Sequence, residues 1–88
     1  MLTDTIQHEV ATAMQAFTDY LTDYFSKADA LSQGQVARKA GIHRVNLNRI
    51  VNGHQVPSLT TAEAIAAATG STLSKILKKS FSREAIHA

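Results

Sequence analysis

With 88 residues, 44% of them hydrophobic and 18% charged, the chain has the size and composition of one globular domain and no room for a catalytic domain beside a binding domain. The absence of cysteine excludes a disulfide scaffold, a thiolate zinc finger and a cysteine nucleophile, and four glycines with one proline are too few turn residues for a many-stranded β fold. The net charge of +2 is small but unevenly distributed.

Residues 1–29 carry Asp4, Glu9, Asp19, Asp23 and Asp29 against Lys27 and sum to −4. Residues 30–62 hold Arg38, Lys39, Arg44 and Arg49 with no acid at all, +4, where an even spread of the seven acids would place two or three. Residues 63–88 return +2. A polyanionic partner favours an acid-free window, because carboxylates repel phosphates and each cation there releases counterions. Chance explains it equally well on charge alone. The longest strongly apolar run, Ala64 to Ala68, is far short of a membrane span, and the opening Met1-Leu2-Thr3-Asp4 has no basic start or apolar block of a secretory signal. The expectation is a soluble, mostly helical, cytoplasmic domain.

In chain order, Ile6, Val10, Met14, Phe17, Leu21, Tyr24 and Phe25 step by three and four along one stripe, which predicts a long helix over about 4–26. Asp4 with Gln7 is its expected capping box, and its polar face is acidic. Ser32 with Gln35 opens a second helix bearing Val36, Ala37 and Ala40, and Gly41 stops it in the left-handed conformation. Only Ile42 and His43 separate it from a third helix, Arg44 to Val51, whose inward positions are Leu47 and Ile50. Asn52-Gly53 ends that helix and Val56-Pro57 enforces an extended segment. Either Ser58 or Thr60 caps a fourth helix through Leu59, Ala62, Ile65, Ala66 and Ala68, closed by Gly70. Thr72 caps a fifth with Leu73, Ile76, Leu77 and Phe81. The fold class is all-α, five helices without a strand.

Function is concentrated in Gln33 to Pro57. Two short helices around a glycine-containing turn form a helix-turn-helix pattern, in which the small Ala37 one turn before the bend allows a close crossing. On the side of the third helix away from Leu47 lie Val45, Asn48, Arg49 and Asn52, with Arg44 projecting from the first turn. A surface chosen for helix stability would carry Ala, Glu, Lys or Gln. A guanidinium fork, amides and a small aliphatic group suit a major groove instead: Arg to guanine, Asn to adenine, Val to a thymine methyl. Exposed Val and Asn are also common without purpose, and the helix-turn-helix context tips the reading towards base contact.

Gln33-Gly34-Gln35-Val36-Ala37-Arg38-Lys39-Ala40-Gly41-Ile42, followed by Arg44, Leu47, Arg49-Ile50, Asn52-Gly53 and Pro57-Ser58-Leu59, closely resembles the phage-repressor and Cro-like (XRE) helix-turn-helix family from about Leu31 to Leu77. The resemblance implies a compact five-helix, lambda-repressor-like DNA-binding domain that acts as a homodimer on a near-palindromic double-stranded operator, a transcriptional repressor of phage type. By the same resemblance, Arg44, Val45, Asn48 and Arg49 read bases. Gln33 braces the recognition helix and touches phosphate, and Asn52 and Gly53 contact the backbone. Arg38, Lys39 and His54 complete the expected phosphate set.

The chain departs from the family pattern in several places. Gly34 replaces a helix former, His43 stands where a Ser or Thr cap is customary, and Val51 replaces a common acid. His54-Gln55 replaces a basic residue after Asn-Gly, which weakens the phosphate anchor there. The His43 position is served either by its imidazole Nδ1 or by water. The acidic N-terminal helix is not a constant of the family and offers the alternative reading of an antitoxin or adaptor with a protein partner on that helix.

Other residues carry weaker signals. His8, His43, His54 and His87 have no i, i+4 pair and no acid beside them in the central window, so no metal or other cofactor is expected. No strained nucleophile turn accompanies the Ser, His and Asp residues, so neither enzymatic activity nor a small-molecule ligand is expected. Tyr20, Tyr24 and Phe25 read as core with hydroxyls reaching water. Lys78, with Lys79 and Arg83 of the tail 79–88, either leans on DNA flanks or ends a solvated helix. Leu77, Phe81 and Ile86 exceed what a minimal domain needs and offer a dimer contact.

Overall fold

A computed structural model describes the backbone of residues 2–78 and the side chains of residues 12–78; Phe81, Arg83, Ile86 and the rest of the expected tail lie outside the described residues. Four helices run in the order α1 (Leu2–Ser26), α2 (Gln33–Ala40), α3 (Arg44–Val51) and α4 (Leu59–Ala68), and a fifth, α5, has helical backbone over 73–78. There is no strand among the described residues.

The helix ends follow from local chemistry, with one correction. Because α1 begins at Leu2, Asp4 lies inside its first turn and the Asp4–Gln7 pair does not open it. No glycine or proline stands before Asp4, and each residue added to an existing helix gains a hydrogen bond, so the helix propagates past the expected start. The Ser32 box forms in full: Gln35 N donates to Ser32 Oγ at 3.2 Å, and Ser32 N donates to Gln35 Oε1 at 2.9 Å. Ser58, not Thr60, caps α4, accepting from Thr61 N at 3.2 Å. Thr72 Oγ1 accepts from Lys75 N at 3.2 Å and so opens α5 as expected. Gly41 adopts φ +72° while Ile42 N returns to Ala37 O at 3.0 Å, a pairing that satisfies the last carbonyls of α2 and turns the chain into α3 within three residues.

Burial then assembles the helices. Val36 and Ala37 from α2, Leu47 and Ile50 from α3, Ala62, Ile65 and Ala66 from α4, and Ile76 from α5 form one buried cluster. Phe17 and Leu21 of α1 belong to the same cluster. α2 packs on both α3 and α4, and α1 closes against α3. Ala37 is buried one turn before the bend, where a larger side chain would hold α2 and α3 apart. Among the described residues no polar or charged residue is buried.

Two tyrosines tie α1 to this body in a way the sequence reading did not anticipate. Tyr20, Tyr24 and Phe25 do pack against the core, but the hydroxyls bond to protein. Tyr20 Oη lies 2.7 Å from Thr69 Oγ1 at the end of α4, and Tyr24 Oη accepts from Leu31 N at 3.0 Å just ahead of α2. Both contacts bring distant stretches together, and sequence spacing carries no signal of them. Elsewhere α1, the 56–59 stretch, Ala62 of α4 and α5 line an apolar groove of about 250 Å³. Among the described residues, no helix is long and apolar enough to cross a membrane.

Leu21 is fully buried between α1 and the helix-turn-helix. Leu21→Ala is therefore expected to cost about 2–5 kcal/mol, the range for deleting a core leucine side chain. Urea unfolding followed by far-UV circular dichroism checks this; a loss below about 1 kcal/mol would mean that α1 is not part of the cooperative core.

Candidate nucleic-acid interface

The interface is built on α3, whose two sides have different work. Leu47 and Ile50 are fully buried, so the opposite side is forced outward. At 100° per residue, Val45 and Asn52 then point most directly away from the core, and Asn48 and Arg49 stand on the two flanks. Arg44, Asn48, Arg49 and Asn52 are exposed, and Val45 is 63% exposed. An isoleucine or leucine facing the interior and a valine facing solvent on one eight-residue helix is a division of labour between holding and contacting.

Helix α2 borders the Asn48 flank. Asn48 Nδ2 donates to Gln33 Oε1 at 3.3 Å, and Asn48 Oδ1 accepts from Asn52 Nδ2 at 3.2 Å. Gln33 occupies the first turn of α2 directly after the Ser32 cap. Its neighbour Gly34 has room for a Cβ, which would sit 3.9 Å from Arg44 Cδ, so the Arg44 stem crosses the start of α2. The structure thus brings Gln33, Arg44, Asn48 and Asn52 together. Arg38 and Lys39 are exposed in the last turn of α2, at the end remote from Gln33. Val45 and Arg49 share the α3 surface with this group, without a polar partner for Arg49 among the described residues.

The turn after α3 positions Gly53 and His54. Gly53 has φ +76°, its N–H reaches Ile50 O at 3.1 Å, and His54 N donates to Arg49 O at 2.8 Å. A residue with a Cβ resists that φ, so the glycine of the Asn-Gly pair is what allows the chain to leave α3 without uncovering its carbonyls. At the other end, His43 takes the extended N-cap conformation but makes no side-chain capping bond, so of its two expected roles the imidazole cap is not realised.

Electrostatics sharpen the same face. Among the described residues, the one ion pair is Lys27–Asp23 at 3.5 Å within α1 and its end, while Arg38, Lys39, Arg44 and Arg49 have no carboxylate partner. Asp19 is instead held by Gln15 Nε2 at 2.8 Å on the same helix. Among the described residues, no three His, Asp or Glu side chains come together as a metal would require.

A family model described as helix-turn-helix matches residues 27–76, more than half of the chain. The chain belongs to the lambda-repressor (XRE) type helix-turn-helix family. It is accordingly a DNA-binding regulator of XRE type whose partner is double-stranded DNA, and the family is a DNA-binding one that is not typically enzymatic. No curated protein and no solved structure gives a match. The match begins after α1, although Phe17 and Leu21 of α1 share the core of the matched region.

Two features of this XRE-type site escaped the sequence reading. The Gln33–Asn48–Asn52 amide contacts were not anticipated, although the i, i+4 spacing of Asn48 and Asn52 is a signal for half of them. The passage of Arg44 over Gly34 depends on the crossing of two helices and has no local signal.

The uncapped start of α3 generates a stability prediction. His43 already has the backbone geometry of a cap, φ −74° and ψ 141°, so a serine there can accept from the free first-turn N–H groups. His43→Ser is expected to raise stability by about 1 kcal/mol. The midpoint of urea unfolding reads this directly, and an unchanged or lower midpoint would show that the first turn gains nothing from a side-chain acceptor.

Proposed function

We propose that this XRE-type chain is a sequence-specific repressor of phage or mobile-element type that acts in the cytoplasm. On this reading, two copies bind a near-palindromic operator, and repression follows from occupying the promoter, without catalysis. The observation that carries the reading is the outward side of α3: Arg44, Val45 and Arg49 exposed together, in a stretch without acids, on a helix whose other side is locked into the core. Arg44 and Arg49 offer bidentate forks to guanine and Val45 offers a methyl contact to thymine.

Backbone phosphates are held by Gln33, Arg38, Lys39, Asn52, the Gly53 amide and His54, which fix orientation without reading sequence. Asn48 belongs to the same surface and offers adenine the N–H and the carbonyl lone pair that its bonds to Gln33 and Asn52 leave free. Val56 and Leu59, 67% and 68% exposed, follow the Asn52-Gly53 turn within six residues. A second copy covering them would bury that apolar surface, and the pair would have to present its two α3 helices to half-sites about 34 Å apart.

A second reading rests on the exposed Asp19 and Asp23 of α1, which suit a basic protein partner of the kind an antitoxin or adaptor holds. Because Phe17 and Leu21 lie in the core, deleting residues 1–26 would unfold the protein rather than test this. Asp19→Lys with Asp23→Lys alters the outer face alone. Capture of a basic protein that this double variant abolishes, with DNA affinity unchanged or raised, would establish the second reading beside the first.

Selection of binding sites from random double-stranded DNA tests the repressor reading. An inverted repeat with half-sites one helical turn apart is the expected product; recovery of unrelated sequences would sink sequence specificity. On the selected site, Arg49→Ala is expected to lose about 1–3 kcal/mol, more than on random DNA. An equal loss on both would reassign Arg49 to phosphate.

A further inference from the structure

The groove between α1, the 56–59 stretch and α5 encloses about 250 Å³, and every residue that lines it is apolar. That is room for about eight waters, which find few hydrogen-bond partners there, so an apolar occupant gains by displacing them. Met14 and Phe17 form the α1 wall, Val56 and Leu59 stand on the connecting stretch, and Leu73 and Leu77 form the α5 wall. Leu73 and Leu77 are one four-residue helical step apart, and the next such step is Phe81. The described residues end at Lys78, directly after Leu77, and residues 79–88 follow.

Helical phase separates the candidates within that tail. At 100° per residue, a continued α5 would put Phe81 about 40° round from Leu77 and about 6 Å further along the axis, on the groove side. Lys75, Lys79 and Arg83, also at steps of four, would fall on the opposite side and stay in water while the ring is covered. Ile86 would fall about 180° from Leu77, away from the groove. A segment already joined to one wall needs almost no loop closure, whereas a separate molecule bears the full entropy loss of association.

We propose that α5 continues through Arg83 and seats the Phe81 ring in this groove against Met14, so that the chain's own tail covers the apolar surface. The segment then acts as a strap between α5 and α1, with Lys75, Lys79 and Arg83 as a basic outer stripe. The proposal goes beyond the operator reading and does not depend on it; a second copy resting on Val56 and Leu59 would meet the strap as well.

NMR of the full chain without DNA tests it. Nuclear Overhauser contacts between the Phe81 ring and the Met14 methyl are expected within one copy, and an isotope-filtered mixture of labelled and unlabelled chains is expected to show none between copies. Phe81→Ala is expected to shift the methyl signals of Met14, Leu73 and Leu77 and to lower the midpoint of urea unfolding. Phe81→Leu should fall between it and the wild type, and Ile86→Ala should leave signals and midpoint in place. Absence of the ring contact, or equal effects of Phe81→Ala and Ile86→Ala, would overturn the proposal. Contacts seen only between copies would give the groove to a second molecule of this chain and overturn it as well. None of these readouts involves DNA, so their outcome is separate from that of the operator reading.

Discussion

The close crossing of α2 over α3 is the contact on which the rest of the structure depends. It requires a small buried side chain at Ala37, a residue able to take φ +72° at Gly41, and two bulky anchors, Leu47 and Ile50, sunk into the shared core. Those three conditions rotate α3 to a single orientation about its own axis. Once that orientation is set, the identity of every exposed residue on α3 follows from helical geometry. The Gln33–Asn48 contact and the passage of Arg44 over Gly34 exist only because the two helices approach so closely.

α1 contributes to this framework more than the extent of the helix-turn-helix match suggests. Phe17 and Leu21 bring α1 into the core shared by α2, α3 and α4, and the two tyrosine hydroxyls reach Thr69 after α4 and Leu31 ahead of α2. Its described acids, Asp19 and Asp23, remain on the outside, with partners on α1 or at its end. Carboxylates are thereby kept from the cations of the middle segment. The protein attracts a polyanion over one region without a large overall charge, which limits self-repulsion of the folded state.

Much of this was legible in the sequence because the deciding signals are local. The Ser32–Gln35 box, Gly41 and the Asn52-Gly53 stop act within five residues, and the apolar stripe of α1 repeats often enough to define its buried side. The failures have the same origin. Asp4 looked like a cap because capping residues are recognisable, yet nothing upstream forced the helix to begin there. The choice between Ser58 and Thr60 needed the backbone itself. The tyrosine hydroxyl partners lie 49 and 7 residues away, and Gln33 lies 15 residues from Asn48, separations at which sequence spacing says nothing of contact. At the site, residue type groups Asn48 with Arg44, Val45 and Arg49; its bonds to Gln33 and Asn52 are what the structure adds.

The apolar interior has one more implication. Since no polar residue among the described ones is buried, the buried anchors of α3 hold it by shape and by removal of hydrocarbon from water, and the Asn48–Gln33 bond adds to them at the surface. None of the buried anchoring passes through the exposed chains at 44, 45 and 49. Those three places can be exchanged with little cost to the core, so the outward surface of α3 can change over evolution while the scaffold beneath it stays the same.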